Sequence, residues 1–74
     1  MTMSQTEFAE LLKAARKERK LTMVDVAENT GMYLPIYRMI EKGTFIPDRD
    51  KLEVLCKFFD FEQVERVECV GADV

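Results

Sequence analysis

The sequence has no histidine and no tryptophan, one serine, two cysteines, two prolines and three glycines in 74 residues. The missing histidine removes the usual general base and metal ligand near neutral pH. Ser4 is the one serine and stands beside the amino end, read as a floppy terminus, so no Ser/His arrangement is available for nucleophilic catalysis. Cys56 and Cys69 stand apart, with no second pair and no histidine to complete a zinc site. No apolar run approaches the roughly 20 residues needed to cross a bilayer. The opening MTMSQTEFAE lacks a basic stretch followed by an apolar one, so no secretory signal is read there. Together these absences predict a cytoplasmic protein that is not an enzyme, uses no metal or cofactor, and does not rely on a Cys56–Cys69 disulfide. Binding is what remains.

Apolar residues make up 47% and charged residues 34% of the chain, the balance of a small folded domain. The net charge is −3, the wrong sign for a nucleic-acid partner, but its distribution is uneven. Residues 1–57 sum to +1 and residues 58–74 to −4. Within the first part, Lys13, Arg16, Lys17, Arg19 and Lys20 face only Glu18. This cluster is either a solvated helix face or a phosphate-contacting patch.

Turn-forming residues divide the chain into short helical segments. Ser4 and Glu7 fit a capping box ahead of a helix over about 5–19, with Phe8, Leu11, Leu12 and Ala15 on one apolar stripe. Thr22 and Asp25 open a second helix over 23–30, with Val26 and Ala27 inward and Gly31 as its left-handed stop. A third runs over about 34–42, starting no earlier than just before Pro35, with Tyr37 and Ile40 inward and Gly43 at its end. Asp48, after Pro47, caps a fourth over 49–59, whose inward residues are Leu52, Leu55, Cys56 and Phe59. Over 61–70 the spacing of Phe61, Val64, Val67 and Val70 suits a helix and the β-branched content suits a strand. A short helix to about Val67, then an extended end, is the expectation. Only Gly31, Met32 and Tyr33 separate the second and third helices, a turn tight enough to force a steep crossing and leave the third helix projecting.

The sequence is similar to the phage-repressor and Cro-type (XRE-like) helix-turn-helix family over about Phe8 to Phe61. Leu12, Arg16, Leu21-Thr22, Val26-Ala27, Gly31-Met32, Ile40-Glu41-Lys42-Gly43, Pro47, Leu52, Leu55 and Phe59-Asp60-Phe61 carry the likeness, in order and at family spacing. The resemblance implies an all-α, lambda-repressor-like fold, a compact bundle of four or five short helices containing a helix-turn-helix. It divides the chain into a helix-turn-helix domain over 1–61 and an acidic extension over 62–74, a candidate dimerisation segment. It implies a dimeric transcriptional regulator of double-stranded DNA, repressor-like, and an internal ion pair between Arg16 and Glu41.

Some reading positions depart from the family pattern. Met23 stands where glutamine is common, and Tyr33 where serine or threonine often caps the recognition helix. Leu34, Pro35, Arg38 and Met39 would face base edges, and of these only Arg38 has donors for a bidentate contact to guanine. Leu34 and Pro35 suit thymine methyls at most. Tyr33, Lys42, Thr44 and the amides at the helix starts would hold phosphates, with Lys13, Lys17 and Lys20 adding charge. The alternative is a protein-docking surface of Met23, Val24, Leu34, Pro35, Ile36 and Met39, an antitoxin-like or anti-regulator use with little DNA binding. The bland reading puts Leu34, Ile36 and Met39 partly in the core, and leaves Tyr33 and Lys42 as ordinary surface residues. A homodimer is expected, joined through Phe58, Phe61, Val64, Val67 and Val70, with Glu62, Glu65 and Glu68 facing away from DNA. Phe58 and Phe61 serve equally well as completion of the monomer core.

Overall fold

The computed structural model describes residues 2–61 and 64–68. Along the chain lie β1 (Thr2–Ser4), α1 (Gln5–Glu18), α2 (Met23–Thr30), α3 (Leu34–Lys42), α4 (Arg49–Phe59) and β2 (Arg66–Glu68). The fold is predominantly all-α, with four helices among the described residues.

Three helices start on a side-chain acceptor. Ser4 Oγ accepts from the Glu7 amide at 3.1 Å, and Glu7 accepts in return from the Ser4 amide at 3.0 Å. Thr22 and Asp25 repeat this reciprocal box at α2, at 3.0 and 2.9 Å. Asp48 accepts from the Lys51 amide at the start of α4. Helix α3 begins differently: Tyr33 gives no side-chain cap, and Pro35 occupies the first turn, where a missing N–H leaves no intrahelical bond unmade.

All four helices end alike. A six-to-one bond closes each last turn, from Leu21 to the Arg16 carbonyl, Met32 to Ala27, Thr44 to Met39 and Phe61 to Cys56, at 2.9–3.0 Å. The residue before each donor is left-handed: Lys20, Gly31, Gly43 and Asp60. Gly31 and Gly43 take this conformation freely. The side chains of Lys20 and Asp60 oppose it, by about 1 kcal/mol each relative to glycine.

The buried cluster is Phe8, Leu12, Val26, Tyr37, Ile40, Leu52, Leu55, Phe59 and Val67, so every helix contributes. Helix α1 packs on α3, and α2 packs on both α3 and α4. Phe61 closes one end, edge-on to Phe8 and stacked on Phe59.

The end of the described chain corrects the expected helix. Over 66–68 the backbone is β2, parallel to β1, with Thr2 opposite Arg66, Met3 opposite Val67 and Ser4 opposite Glu68. Asp60 turns the chain out of α4, and burying Val67 between this sheet and the helices favours the extended form that its branched side chain prefers. The amino end is correspondingly not floppy: Thr2–Ser4 form β1, and Ser4 also caps α1. Val67 lies in the monomer core, and Phe58, Phe61 and Val64 pack half-buried against it, so these apolar side chains are already covered on one side within one chain. Glu62, Cys69 and Val70, also singled out by sequence, lie outside the described residues.

Replacing Lys20 with glycine removes the left-handed strain without touching a buried contact. Thermal unfolding of Lys20→Gly should show a gain of about 1 kcal/mol, or roughly 5 °C in Tm for a chain of this size.

Candidate nucleic-acid interface

The geometry of α3 is set by a buried polar cluster on its inner face. Glu41 is 5% exposed. Arg16 of α1 reaches it with two parallel bonds, Nε to Oε2 and Nη2 to Oε1, both 2.9 Å. The third arm of the same guanidinium donates to the Leu21 carbonyl at 2.9 Å, which fixes the loop into α2. Tyr37, one turn before Glu41, donates its hydroxyl to Oε2 at 2.6 Å. Those hydrogen bonds to Glu41 raise the Arg16 pKa above its ordinary value. Burial, reinforced by the adjacent Glu41 carboxylate, pushes the Tyr37 phenol far above its usual range and keeps it a donor. One carboxylate thus joins α1, α3 and the loop before α2.

With Tyr37, Ile40 and Glu41 inward, α3 presents Pro35, Arg38, Met39 and Lys42 to solvent, at i, i+3, i+4 and i+7. Glu41 is the only acid in α3, and it is buried and paired, so the outer row carries two cations and no anion. Neither Arg38 nor Lys42 has a hydrogen-bond or ion-pair partner among the described residues. Tyr33 stands 72% exposed at the start of this row. Leu34 and Ile36 are half-buried, and Ile36 packs on the core. Met23 also packs against the core, while Val24 is 46% exposed. The expected apolar patch is therefore broken, with only Val24, Pro35 and Met39 of its members fully at the surface. Thr44 is exposed, but its hydroxyl donates back to the Met39 carbonyl at 3.2 Å.

The two helix starts differ as anion sites. At α2 the Thr22–Asp25 box occupies the first turn and sets a carboxylate there, which opposes a phosphate. At α3 no acid lies in the first turn. The amides of Leu34 and Ile36 have no intrahelical acceptor there, Pro35 having no N–H to offer.

The basic cluster of α1 divides by role. Arg16 belongs to the ion pair. Arg19 donates to the carbonyls of Phe58 and Phe59 at 2.9 and 3.1 Å and lies over both rings, closing the end of α4. Sequence missed this contact, although the last carbonyls of any helix attract a cation. Lys13, Lys17 and Lys20 remain exposed. Lys13 lines a shallow depression of about 440 Å³ with Lys42, Met23, Thr6, Ala9, Glu10 and Glu41. The structure therefore brings Lys13 and Lys42 to one place beside the start of α2. Tyr33 lies on another side, in a depression of about 250 Å³ lined also by Asp50, Lys51 and Val54 of α4.

Two short helices joined across Gly31–Tyr33, the second seated on the bundle by one face and bare on the other, define a helix-turn-helix. A family model described as a helix-turn-helix domain matches residues 9–67, and the chain belongs to that family. At the general level this is a domain of DNA-binding regulators. No curated protein and no solved structure matches the chain. No helix among the described residues is long and apolar enough to cross a membrane.

Removing one partner of the ion pair leaves the other charge uncompensated. Glu41→Ala should lose about 3–5 kcal/mol in chemical denaturation, whereas Tyr37→Phe, which leaves both arginine bonds, should lose about 1–2 kcal/mol. The caps add a pH signature. Amide donation from Thr22 to Asp25 and from Lys51 to Asp48 holds both carboxyls below their ordinary value of 3.8. Each cap's stabilisation is therefore complete above that value and is lost as the pH falls through the depressed one. Asp25→Asn and Asp48→Asn should each flatten the acid side of the stability–pH curve measured by circular dichroism.

Proposed function

We propose that this chain is a sequence-specific DNA-binding transcriptional regulator, repressor-like, that acts in the cytoplasm and lays α3 in the major groove of an operator. The observation that carries this reading is the outer row of α3, where Arg38 and Lys42 stand exposed and unpaired among the described residues while the helix's one acid is turned inward. Arg38 projects from the middle of the row and serves as the base-reading side chain, with its planar fork suited to guanine. Leu34, Pro35 and Met39 beside it offer only apolar contact. Lys42 and Lys13, which line one depression with Met23 at the start of α2, hold backbone phosphates. Tyr33 and the free amides of the first turn of α3 hold a second phosphate. Thr44 contributes from the end of the helix, its hydroxyl oxygen free to accept but its proton engaged. One such unit covers few base pairs, so two copies on adjacent half-sites make the functional protein.

A second reading draws on the exposure of Val24 and Tyr33, at 46% and 72%. An apolar docking surface for a protein would use these side chains, and its binding would respond weakly to salt.

Fluorescence anisotropy with duplexes selected from a random pool tests the proposal. Affinity should fall steeply with added salt, with a slope of roughly −0.9 per phosphate contacted. Arg38→Ala should cost about 1–3 kcal/mol and relax preference at one base pair, whereas Lys42→Ala should weaken all duplexes alike. No duplex bound at micromolar protein and low salt would overturn the reading.

A further inference from the structure

Helix α3 is tied to α1 on either side of one residue. Glu41 is held by Arg16 through two bonds of 2.9 Å. Two positions later the Gly43 carbonyl accepts a bond from Gln5 Nε2, at the start of α1. Lys42 lies between the two ties, its side chain exposed and without a partner among the described residues. The amides of Gly43 and Thr44 are engaged within α3, on the Ile40 and Met39 carbonyls. A Cβ built on Gly43 would come within 3.7–3.8 Å of Ala9 Cβ, the Gln5 carbonyl and Thr6 Cα, whereas one built on Gly31, the stop of α2, would meet nothing within 4 Å. The two helices of the motif end in the same backbone geometry, and of the two stops it is that of α3 that rests on α1.

Stability alone does not account for Gln5. Its Nε2 makes the bond to Gly43, but its Oε1 is buried with no hydrogen-bond partner among the described residues. A buried acceptor left unmet opposes folding about as much as one good bond favours it. The reverse orientation of the carboxamide would set Oε1 against the Gly43 carbonyl, acceptor to acceptor. The side chain therefore delivers one directed bond to the stop of α3 at little net gain in folding energy. It carries no charge, so what it changes for an anionic partner is not the field but the place where Lys42 stands. Lys42 shares its depression with Lys13 and with Thr6, the residue next to Gln5. A cation whose backbone is already fixed loses less freedom on meeting a phosphate.

We infer that Gln5 is a positioning residue for the phosphate contact of Lys42: by holding the Gly43 carbonyl on α1, it sets where the end of α3 meets the backbone of bound DNA. The inference rests on the proposed function and adds to it a residue outside the helix-turn-helix. Gln5 touches no DNA itself. Arg38, one turn before Lys42 and next to Tyr37, is placed by the Arg16–Glu41–Tyr37 cluster and does not depend on Gln5.

A double-mutant cycle tests it, read by fluorescence anisotropy as the cost of Lys42→Ala in three backgrounds. In the native chain that cost should be on the order of tenfold at low salt, with the salt slope reduced by about 0.9. Gln5→Met keeps the length and removes the donor and the unmet acceptor together, so it should melt close to the native chain in circular dichroism. Gln5→Met alone should already show the shallower slope, with preference at the base pair read by Arg38 unchanged, and in its background Lys42→Ala should cost less than about twofold. Gln5→Lys returns a donor to the Gly43 carbonyl and should recover the native cost of Lys42→Ala, its added charge cancelling within the cycle. A merely structural role would lower melting and leave Lys42→Ala equally costly in every background. That result overturns the inference while the DNA-binding reading stands, whereas a native chain that binds no duplex overturns both. Should Gln5→Met melt early, a measurement on the native chain decides. The Gln5 side-chain amide protons should exchange with solvent on the order of tenfold or more slower than those of a free glutamine, and exchange at the free rate overturns the inference.

Discussion

What α3 offers to a partner depends on the inward direction of one carboxylate, Glu41. Were that acid on the outer face, it would stand one turn from Arg38 and beside Lys42, and the row would be close to neutral. Burying it demands a partner, because an isolated carboxylate in a core is costly. Arg16 supplies two bonds, Tyr37 a third, and the remaining arm of Arg16 ties the loop ahead of α2. Such a pair fixes geometry more than it adds stability. Here it sets the rotation of α3 about its own axis, and with that which residues meet solvent.

A second consequence follows for charge. The protein is negative overall, yet the two arginines at the end of α1 are used within the fold, Arg16 by Glu41 and Arg19 by the end of α4. The exposed cations near the helix-turn-helix include Lys13, Lys17 and Lys20 together with Arg38 and Lys42 of α3. Local field outweighs net charge at the range over which salt screens, about 8–10 Å at physiological ionic strength. Residues 58–74, which follow the helix-turn-helix in sequence, carry −4 of the charge, and the residues before them sum to +1.

The helices were legible because their boundaries are written in local chemistry. Ser4–Glu7, Thr22–Asp25 and Asp48 mark starts by providing acceptors, and Gly31 and Gly43 mark stops by accepting left-handed backbone. Tyr37 and Ile40 declared their inward face by spacing alone. The sheet was not legible, because three residues at each strand are too few to show a period, and their pairing joins residues over sixty positions apart. The same holds for Arg19, whose partners are carbonyls that carry no side-chain signature. Of the site, the outward positions of Pro35, Arg38, Met39 and Lys42 were implied by the family resemblance, and in the structure they share one face at helix period. The half-burial of Leu34 and Ile36 stood in the sequence as one of two open readings and that of Met23 was not foreseen, since burial there depends on how closely the neighbouring helices approach.

The most direct measurement is amide chemical-shift mapping by NMR during titration with a short duplex at low salt. Shifts concentrated on Tyr33 to Thr44, with Met23 and Lys13 included and α4 unaffected, are what this account predicts. Shifts confined to α4 or to the sheet, with α3 silent, would contradict it.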